Sequence, residues 1–227
     1  MEIPREAAVM ILPEATLFPQ ALLPLFIFEP RYRRMLAESL DTHRLFAVAM
    51  LKPGATRESP MGVAGLGLIR ASVQNPDGTS HLVLQGLTRI ELEGVVRYRP
   101  YRVHRIRPLQ PAASDSAKVD PLLAKVRDLA RQRMQLGPAF GGPDPKPEPG
   151  QTTPSFLSAA DVIHYLEKIE NADQVADIVS CALLSRAQER QMILETVEVE
   201  TRLRFLIAFL MAEIRQRRKN GPDEKPD

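Results

Sequence analysis

The hydrophobic pattern of the chain changes period once. Up to about Pro108 the apolar positions alternate or form short continuous runs; from Val119 onward they recur at a spacing near 3.6. In the first half, Val9 to Leu12 reads as a short strand ended by Pro13, and Thr16 to Pro24 as a loop pinned to the core by three apolar residues. Leu25, Phe26, Ile27 and Phe28 then read as a strand buried on at least one face. Pro30 opens a helix, because its φ is already set for a first turn and it has no N–H to lose there. That helix carries Tyr32, Met35, Leu36 and Leu40 along one stripe. Leu45 to Leu51 is a near-continuous apolar run, as expected of a central strand. After an exposed loop from Lys52 to Met61, the stretch Gly62 to Val73 returns through His81 to Gly86 by way of Asn75-Pro76-Asp77-Gly78, which predicts a β-hairpin. Arg89 to Tyr98 and Tyr101 to Ile106 alternate again. Seven or so strands with one early helix predict a twisted, barrel-like β domain over residues 8–109.

The second half predicts an α-helical bundle over 116–217. Val119, Leu122, Leu123, Val126 and Leu129 share one face of a helix reaching about Leu136. Between Gly137 and Ser155 lie four glycines and six prolines in nineteen residues, a composition that predicts a mobile linker or loop. Three further helices are expected at 158–169, 172–183 and 186–217. The last is broken near Val197, where the apolar positions reset at Val199, Leu203 and Leu206. The polar tail, 218–227, is expected to be disordered.

Composition narrows the function classes. A net charge of +2 does not by itself imply a nucleic-acid or membrane partner, although arginine outnumbers lysine 23 to 7. Cys181 is the only cysteine, so an intrachain disulfide is impossible. With no signal-peptide pattern and no apolar run of membrane-spanning length, the chain is expected to be cytoplasmic, with no membrane partner.

Several motifs acquire significance from their order: Leu17-Phe18-Pro19, then Leu23-Pro24-Leu25-Phe26-Ile27-Phe28-Glu29-Pro30-Arg31-Tyr32-Arg33, Gly62-Val63-Ala64, Asp77-Gly78-Thr79, Leu84-Gln85-Gly86-Leu87-Thr88-Arg89 and Pro100-Tyr101-Arg102. The helical half adds Gln174 to Val179, Arg190 to Glu195 and Val197 to Leu203. In this order and spacing the chain, from about Val9 to Ile214, resembles the N-terminal, substrate-recognition domain of Lon proteases, also found as stand-alone bacterial proteins. The resemblance implies an α+β fold, a PUA-like twisted β-barrel followed by a C-terminal helical bundle. No phosphate-cradling G-x-x-x-x-G-K-[ST] loop and no serine with an identifiable base are present, so the chain by itself is expected to be neither an ATPase nor a peptidase. The Pro/Gly-rich stretch departs from the family. So does the polar end of the chain, which fits a stand-alone protein or a truncated one.

Other chemistry is weakly signalled. Gly62, Gly65 and Gly67 reverse the spacing of a dinucleotide loop and precede no helix, so a bulge or a close strand approach accounts for them. The four histidines lack a second ligand at metal spacing, and no metal or cofactor is expected. The functional expectation is a non-catalytic module for unfolded polypeptide or a protein partner, with Phe18, Pro19, Phe28, Arg31 and Tyr32 as the candidate surface. Phe18, Phe28 and Tyr32 have core positions as the alternative. Two rivals stand beside it. Arg89, Arg97, Arg99, Arg102 and Arg105, interleaved with Tyr98 and Tyr101, form a usable RNA-binding pattern, although alternation along the strands sends them to different faces. A regulatory adaptor would instead dock through the exposed face of the 198–217 helix, and charge reversal at Arg202 and Arg204 would abolish that docking.

Overall fold

The computed structural model describes residues 2–110, 115–137 and 159–219. Most of the predicted 137–155 linker and the tail beyond Lys219 lie outside these residues; Arg218 and Lys219 themselves complete a helix. The chain divides into two compact units. The first holds residues 1–112 together with Arg190–Val197; the second holds 113–189 and the residues from Glu198 onward.

The first unit contains β1 (Glu6–Leu12), β2 (Leu22–Ile27), α1 (Pro30–Leu40), β3 (Leu45–Met50), β4 (Val63–Gln74), β5 (Ser80–Arg97) and β6 (Arg102–Pro108). These strands form one mixed sheet in the order β2-β5-β4-β3-β1-β6. A further β5–β6 pairing returns the order on itself, leaving β2 at the edge. Only β1 and β3 run parallel. Every residue of β3 is buried, because alternate side chains serve two apolar clusters. Phe46 and Val48 join Met35 and Leu36 beneath α1. Leu45, Ala47 and Ala49 join a cluster drawn from the five strands of the cycle, with Val9, Leu66, Ile90 and Ile106. The helix begins where the sequence predicts, with Pro30 in its first turn and the Glu29 carbonyl accepting from Tyr32 N and Arg33 N at 3.0 and 2.9 Å.

The hairpin forms as expected. Gly78 N donates to Asn75 O at 2.9 Å, and Gly78 takes φ 79°, a region that glycine enters without steric cost. The strand count differs from expectation. His81–Gly86 and Arg89–Tyr98 do not form two strands; they merge into the single eighteen-residue β5, which meets β2, β4 and β6 along its length. Gly86 is not a turn. Its absent Cβ makes room for the backbone of Phe18 and the side chain of Leu17, and a Cβ there would overlap Phe18 O. Gly65 likewise admits Leu17 O, so this glycine serves close approach. The contact is locked by Gln20 N donating to Gly86 O at 2.7 Å and Gly86 N donating to Ala21 O at 2.8 Å.

The segment Arg190–Val197 belongs to the first unit through specific bonds. Gln191 Nε2 donates to Val63 O at 2.9 Å, Arg89 Nε to Leu194 O at 3.0 Å and Arg190 Nη2 to Glu14 O at 2.9 Å. It forms most of α5 (Ala187–Glu195). The second unit is built from α2 (Ser116–Gln135), α3 (Ala159–Lys168), α4 (Ala172–Leu183) and α6 (Val199–Lys219). Asp115 and Asn171 cap α2 and α4 by accepting from Ala117 N and Gln174 N. Buried ion pairs stand among its apolar faces. Arg202 on α6 reaches Asp173 and Asp177 on α4 at 3.0 and 3.4 Å, and Arg133 on α2 reaches Glu213 on α6 at 3.4 Å.

Two expectations follow. Gly86→Ala should destabilise the protein by about 2–3 kcal/mol, because the added methyl meets backbone that cannot yield without breaking two hydrogen bonds; urea unfolding measures it, and an unchanged midpoint would refute the close-approach role. His104 of β6 is buried, and neither ring nitrogen has a hydrogen-bond partner among the described residues. Burial first, and then Arg102, lowers its pKa. The unfolded chain therefore binds the extra proton more readily, and stability from this group is present above the ordinary imidazole pKa of about 6.5 and lost as pH falls below it. Melting temperatures between about pH 7.5 and 5.5 should fall less steeply in His104→Leu than in the parent chain.

Candidate functional site

The apolar run around β2 looks uniform in sequence but alternates in space. Leu23, Leu25 and Ile27 point toward the core, whereas Leu22, Pro24, Phe26 and the following Phe28 point outward. Leu22, Phe26 and Phe28 retain 62, 50 and 60% of their exposure, unusual for three large side chains so close together. The exposed face continues across the sheet. Register places Phe26 opposite His81 on β5, and His81 opposite Val73 on β4; one step along the strands, Pro24, Val83 and Ala71 form a parallel row. The Phe26 ring lies 4.8 Å from the His81 ring and 6.0 Å from that of Phe28. Together these rows line a shallow depression of about 410 Å³. Pro24 fits this position because an edge strand tolerates a residue without an N–H.

The sequence-predicted surface residues separate into three groups. Phe28 is on the exposed strip. Phe18 is fully buried, with the Arg89 guanidinium 5.9 Å from its ring centroid, and Pro19 beside it is half-buried. Tyr32 is also buried, and its hydroxyl does structural work: it accepts from Ile11 N at 3.1 Å and donates to Ile11 O at 3.3 Å. The β1–β6 pairing covers Glu6 to Val9, so this hydroxyl serves β1 beyond that ladder. Burial is the main cause of the raised Tyr32 pKa. Leu22, Phe26 and Val73 were not singled out by the sequence; the signal available was Pro24, which marks an edge within an otherwise featureless apolar run.

Arg31 belongs to a second, polar cavity of about 320 Å³ floored by Val9 and Ile11. Its Nε meets Glu29 at 2.9 Å and its Nη1 meets Glu58 at 2.7 Å. The same Glu58 oxygen is 3.7 Å from Arg102 Nε. The two guanidinium groups lie over rings, Arg31 4.4 Å from Tyr32 and Arg102 5.2 Å from Tyr98. The hydrogen bond from Arg31 is the main reason that the Glu58 carboxyl lies below its ordinary pKa, with the charge of Arg31 and Arg102 adding to it against burial.

The arginines of the RNA pattern are largely committed inside the unit. Arg89 is buried on Leu194 O. Arg97 faces Glu38 at 3.7 Å, Arg102 faces Glu58, and Arg107 pairs with Glu91 and Glu93. Arg99 and Arg105 make no ion pair among the described residues. The adaptor face also needs correction. Arg204 is exposed and pairs with Glu200, but Arg202 is 1% exposed between two aspartates, so its charge reversal would break a buried network rather than probe a surface. Among the described residues no group of three or more His, Cys, Asp or Glu side chains could hold a metal ion, and no helix is long and apolar enough to cross a membrane.

Comparison with known proteins points in one direction. Residues 6–212 match the family model described as the ATP-dependent protease La (LON) substrate-binding domain. The chain is 24% identical over 210 residues to the Lon protease of Desulfosudis oleivorans, and 26% identical over 212 residues to that of Phenylobacterium zucineum. The alignments cover 89 and 92% of this chain but 23 and 25% of those proteins, so the chain spans about a quarter of the curated relatives' length. Among solved structures, the N-terminal domain of a Mycobacterium avium complex Lon protease superposes with TM-score 0.69 at 15% identity, covering 91% of this chain and 98% of that one. A Lon N-terminal domain protein from Xanthomonas campestris gives 0.63 at 18%, covering 90 and 98%.

The role assigned to the Tyr32 hydroxyl predicts that Tyr32→Phe costs about 1–3 kcal/mol, since the buried amide and carbonyl of Ile11 each lose that partner. Urea unfolding measures this, and a neutral variant would show that β1 does not depend on the bridge.

Proposed function

The chain belongs to the Lon substrate-binding domain family, and from that membership we propose that its first unit captures exposed apolar or unfolded segments of protein substrates along the β2 edge. A non-catalytic module for recognising protein substrates is the function the family carries. The observation that supports a location is the outward row of Leu22 and Phe26 on an edge strand and Phe28 just after it, extended by Val73. An extended segment laid beside β2 would cover this row with its own apolar side chains. Where the backbone permits, it would also add hydrogen bonds to the open edge, on either side of Pro24.

The expected strength is modest. Covering a half-exposed Leu or Phe contributes about 1 kcal/mol. Several such contacts, set against the entropy lost on association, give binding of about micromolar or weaker affinity. Weak, sequence-tolerant contact suits a module that must sample many unfolded chains and release them. We read the sheet as a PUA-like barrel on the same footing. The support is the cycle of pairings β5-β4-β3-β1-β6-β5 and the apolar cluster that draws on all five of its strands.

RNA binding has less support, because three of the arginines in the 89–107 segment face internal carboxylates and Arg89 is buried. Docking through α6 rests on a helix whose face carries Arg204 and a partly exposed Phe205, with no feature that identifies a partner.

The reading is tested by fluorescence anisotropy of labelled, unfolded casein with the parent chain and with Phe26→Ser/Phe28→Ser. Both side chains are exposed, so the melting temperature should stay nearly constant while affinity falls about tenfold. Unchanged affinity in the folded double variant would move the binding surface away from β2.

A further inference from the structure

The polar cavity holding Arg31 and Arg102 is not used by the apolar strip, yet it is equipped for a particular chemistry. Three guanidinium groups, those of Arg31, Arg99 and Arg102, line it against one lining carboxylate, Glu58, with Glu29 engaging Arg31 from beside it. One positive charge is left over, and Arg99 is the group with no ion pair among the described residues. The two inner guanidiniums also lie over the Tyr32 and Tyr98 rings, so the Glu58 carboxylate is not their sole support. Preoriented, ring-backed guanidinium groups are the side chains best suited to receive a carboxylate. A volume of about 320 Å³ above Val9 and Ile11 has room for the end of a chain or one side chain rather than for a folded surface.

Glu58 shows which anion fits. It comes from the loop between β3 and β4, whose base is fixed by Lys52 N donating to Ser59 O at 2.7 Å and Met61 N to Met50 O at 2.8 Å. Its own carbonyl accepts from Arg102 Nη2, so the backbone at Glu58 is tethered while the side chain, one-third exposed, can rotate away without opening the loop. The cavity is also continuous in sequence with the apolar strip. Phe28 and Arg31 are three residues apart, at most about 11 Å along the chain.

We propose that this cavity is a carboxylate-binding site, occupied at rest by Glu58, which exchanges with the acidic group of a polypeptide seated along β2. The exchange replaces one carboxylate by another on the same two guanidinium groups and so changes the electrostatic energy little. The unpaired Arg99 favours the incoming group. The identity of the ligand as polypeptide rests on the function proposed above, whereas the existence of the site does not.

The test uses labelled peptides without large apolar side chains, so that the β2 strip contributes nothing: pentaalanine with a free C-terminal carboxylate, the same peptide amidated, and an amidated version with one internal Glu. Anisotropy is read on the full chain and on Glu58→Gln, which keeps the shape of the side chain while removing the negative charge that competes for the two guanidinium groups. The expected result is that the variant binds at least one acidic peptide about tenfold more tightly than the parent chain and the amidated neutral peptide not measurably. Binding of the free-acid peptide alone identifies a chain terminus as the source. Binding of the Glu peptide identifies an acidic side chain. Arg99→Gln, at an exposed position, should weaken either by about threefold. Equal binding of acidic and neutral peptides, or no binding of the acidic ones to folded Glu58→Gln at millimolar concentration, overturns the site. If the acidic peptides bind while casein is indifferent to Phe26→Ser/Phe28→Ser, the cavity stands and the apolar strip falls; the opposite pair of results removes the cavity alone.

Discussion

The register of β2 is the constraint on which the exposed site depends. Side chains on a strand alternate, so a slip of one residue would turn Leu22, Phe26 and Phe28 inward and expose Leu23, Leu25 and Ile27. Nothing in the apolar run itself prevents that slip. What prevents it is the preceding segment, where the backbone of Leu17 and Phe18 is pressed onto Gly65 and Gly86 and fastened by the two hydrogen bonds between Gly86 and residues 20 and 21. The strand starts one residue later, at Leu22, already in phase with β5. Buried Phe18, which the sequence suggests as a contact residue, thus acts on the exposed strip only indirectly, by helping to anchor the loop that sets the face of β2.

A second theme is the use of arginine as an internal structural group. In the first unit guanidiniums lie on Phe18, Tyr32, Tyr98 and Tyr101 and engage carboxylates or carbonyls. In the second, Arg133 and Arg202 are buried against carboxylates that join α2, α4 and α6. Breaking such a pair by removing one partner is costly, because a charge is left in low dielectric. The excess of arginine over lysine therefore has a structural reading, which weakens the inference from arginine content to nucleic acid.

Much of the fold was legible because its signals are local. Pro30 at the start of α1, Gly78 in the hairpin turn, the doubly buried β3 and the reset of apolar positions near Val197 all depend on neighbours within a few residues. The errors arose where the deciding contact is distant in sequence. Gly86 resembles a strand end until the backbone of Phe18 and the side chain of Leu17 are placed against it, so the pattern reads as two strands where the structure has one. Within Leu22 to Phe28 no polar residue distinguishes inside from outside, and only Pro24 hints at an edge. The pairing of Arg102 with Glu58, 44 residues away, and of Arg202 with Asp173 and Asp177 could not be read from charge patterns along single elements. Hence, of the residues the sequence suggests, Phe18 and Tyr32 are core and Phe28 is exposed, while the exposure of Leu22, Phe26 and Val73 has no local signal.

The most direct test of the central claim is hydrogen–deuterium exchange of the intact chain with and without saturating unfolded casein. The account predicts that added protection concentrates in the amides of Leu22 to Phe28, with a smaller change near Val73. Protection confined to β6 or α6, with β2 exchanging as in the free protein, would contradict it.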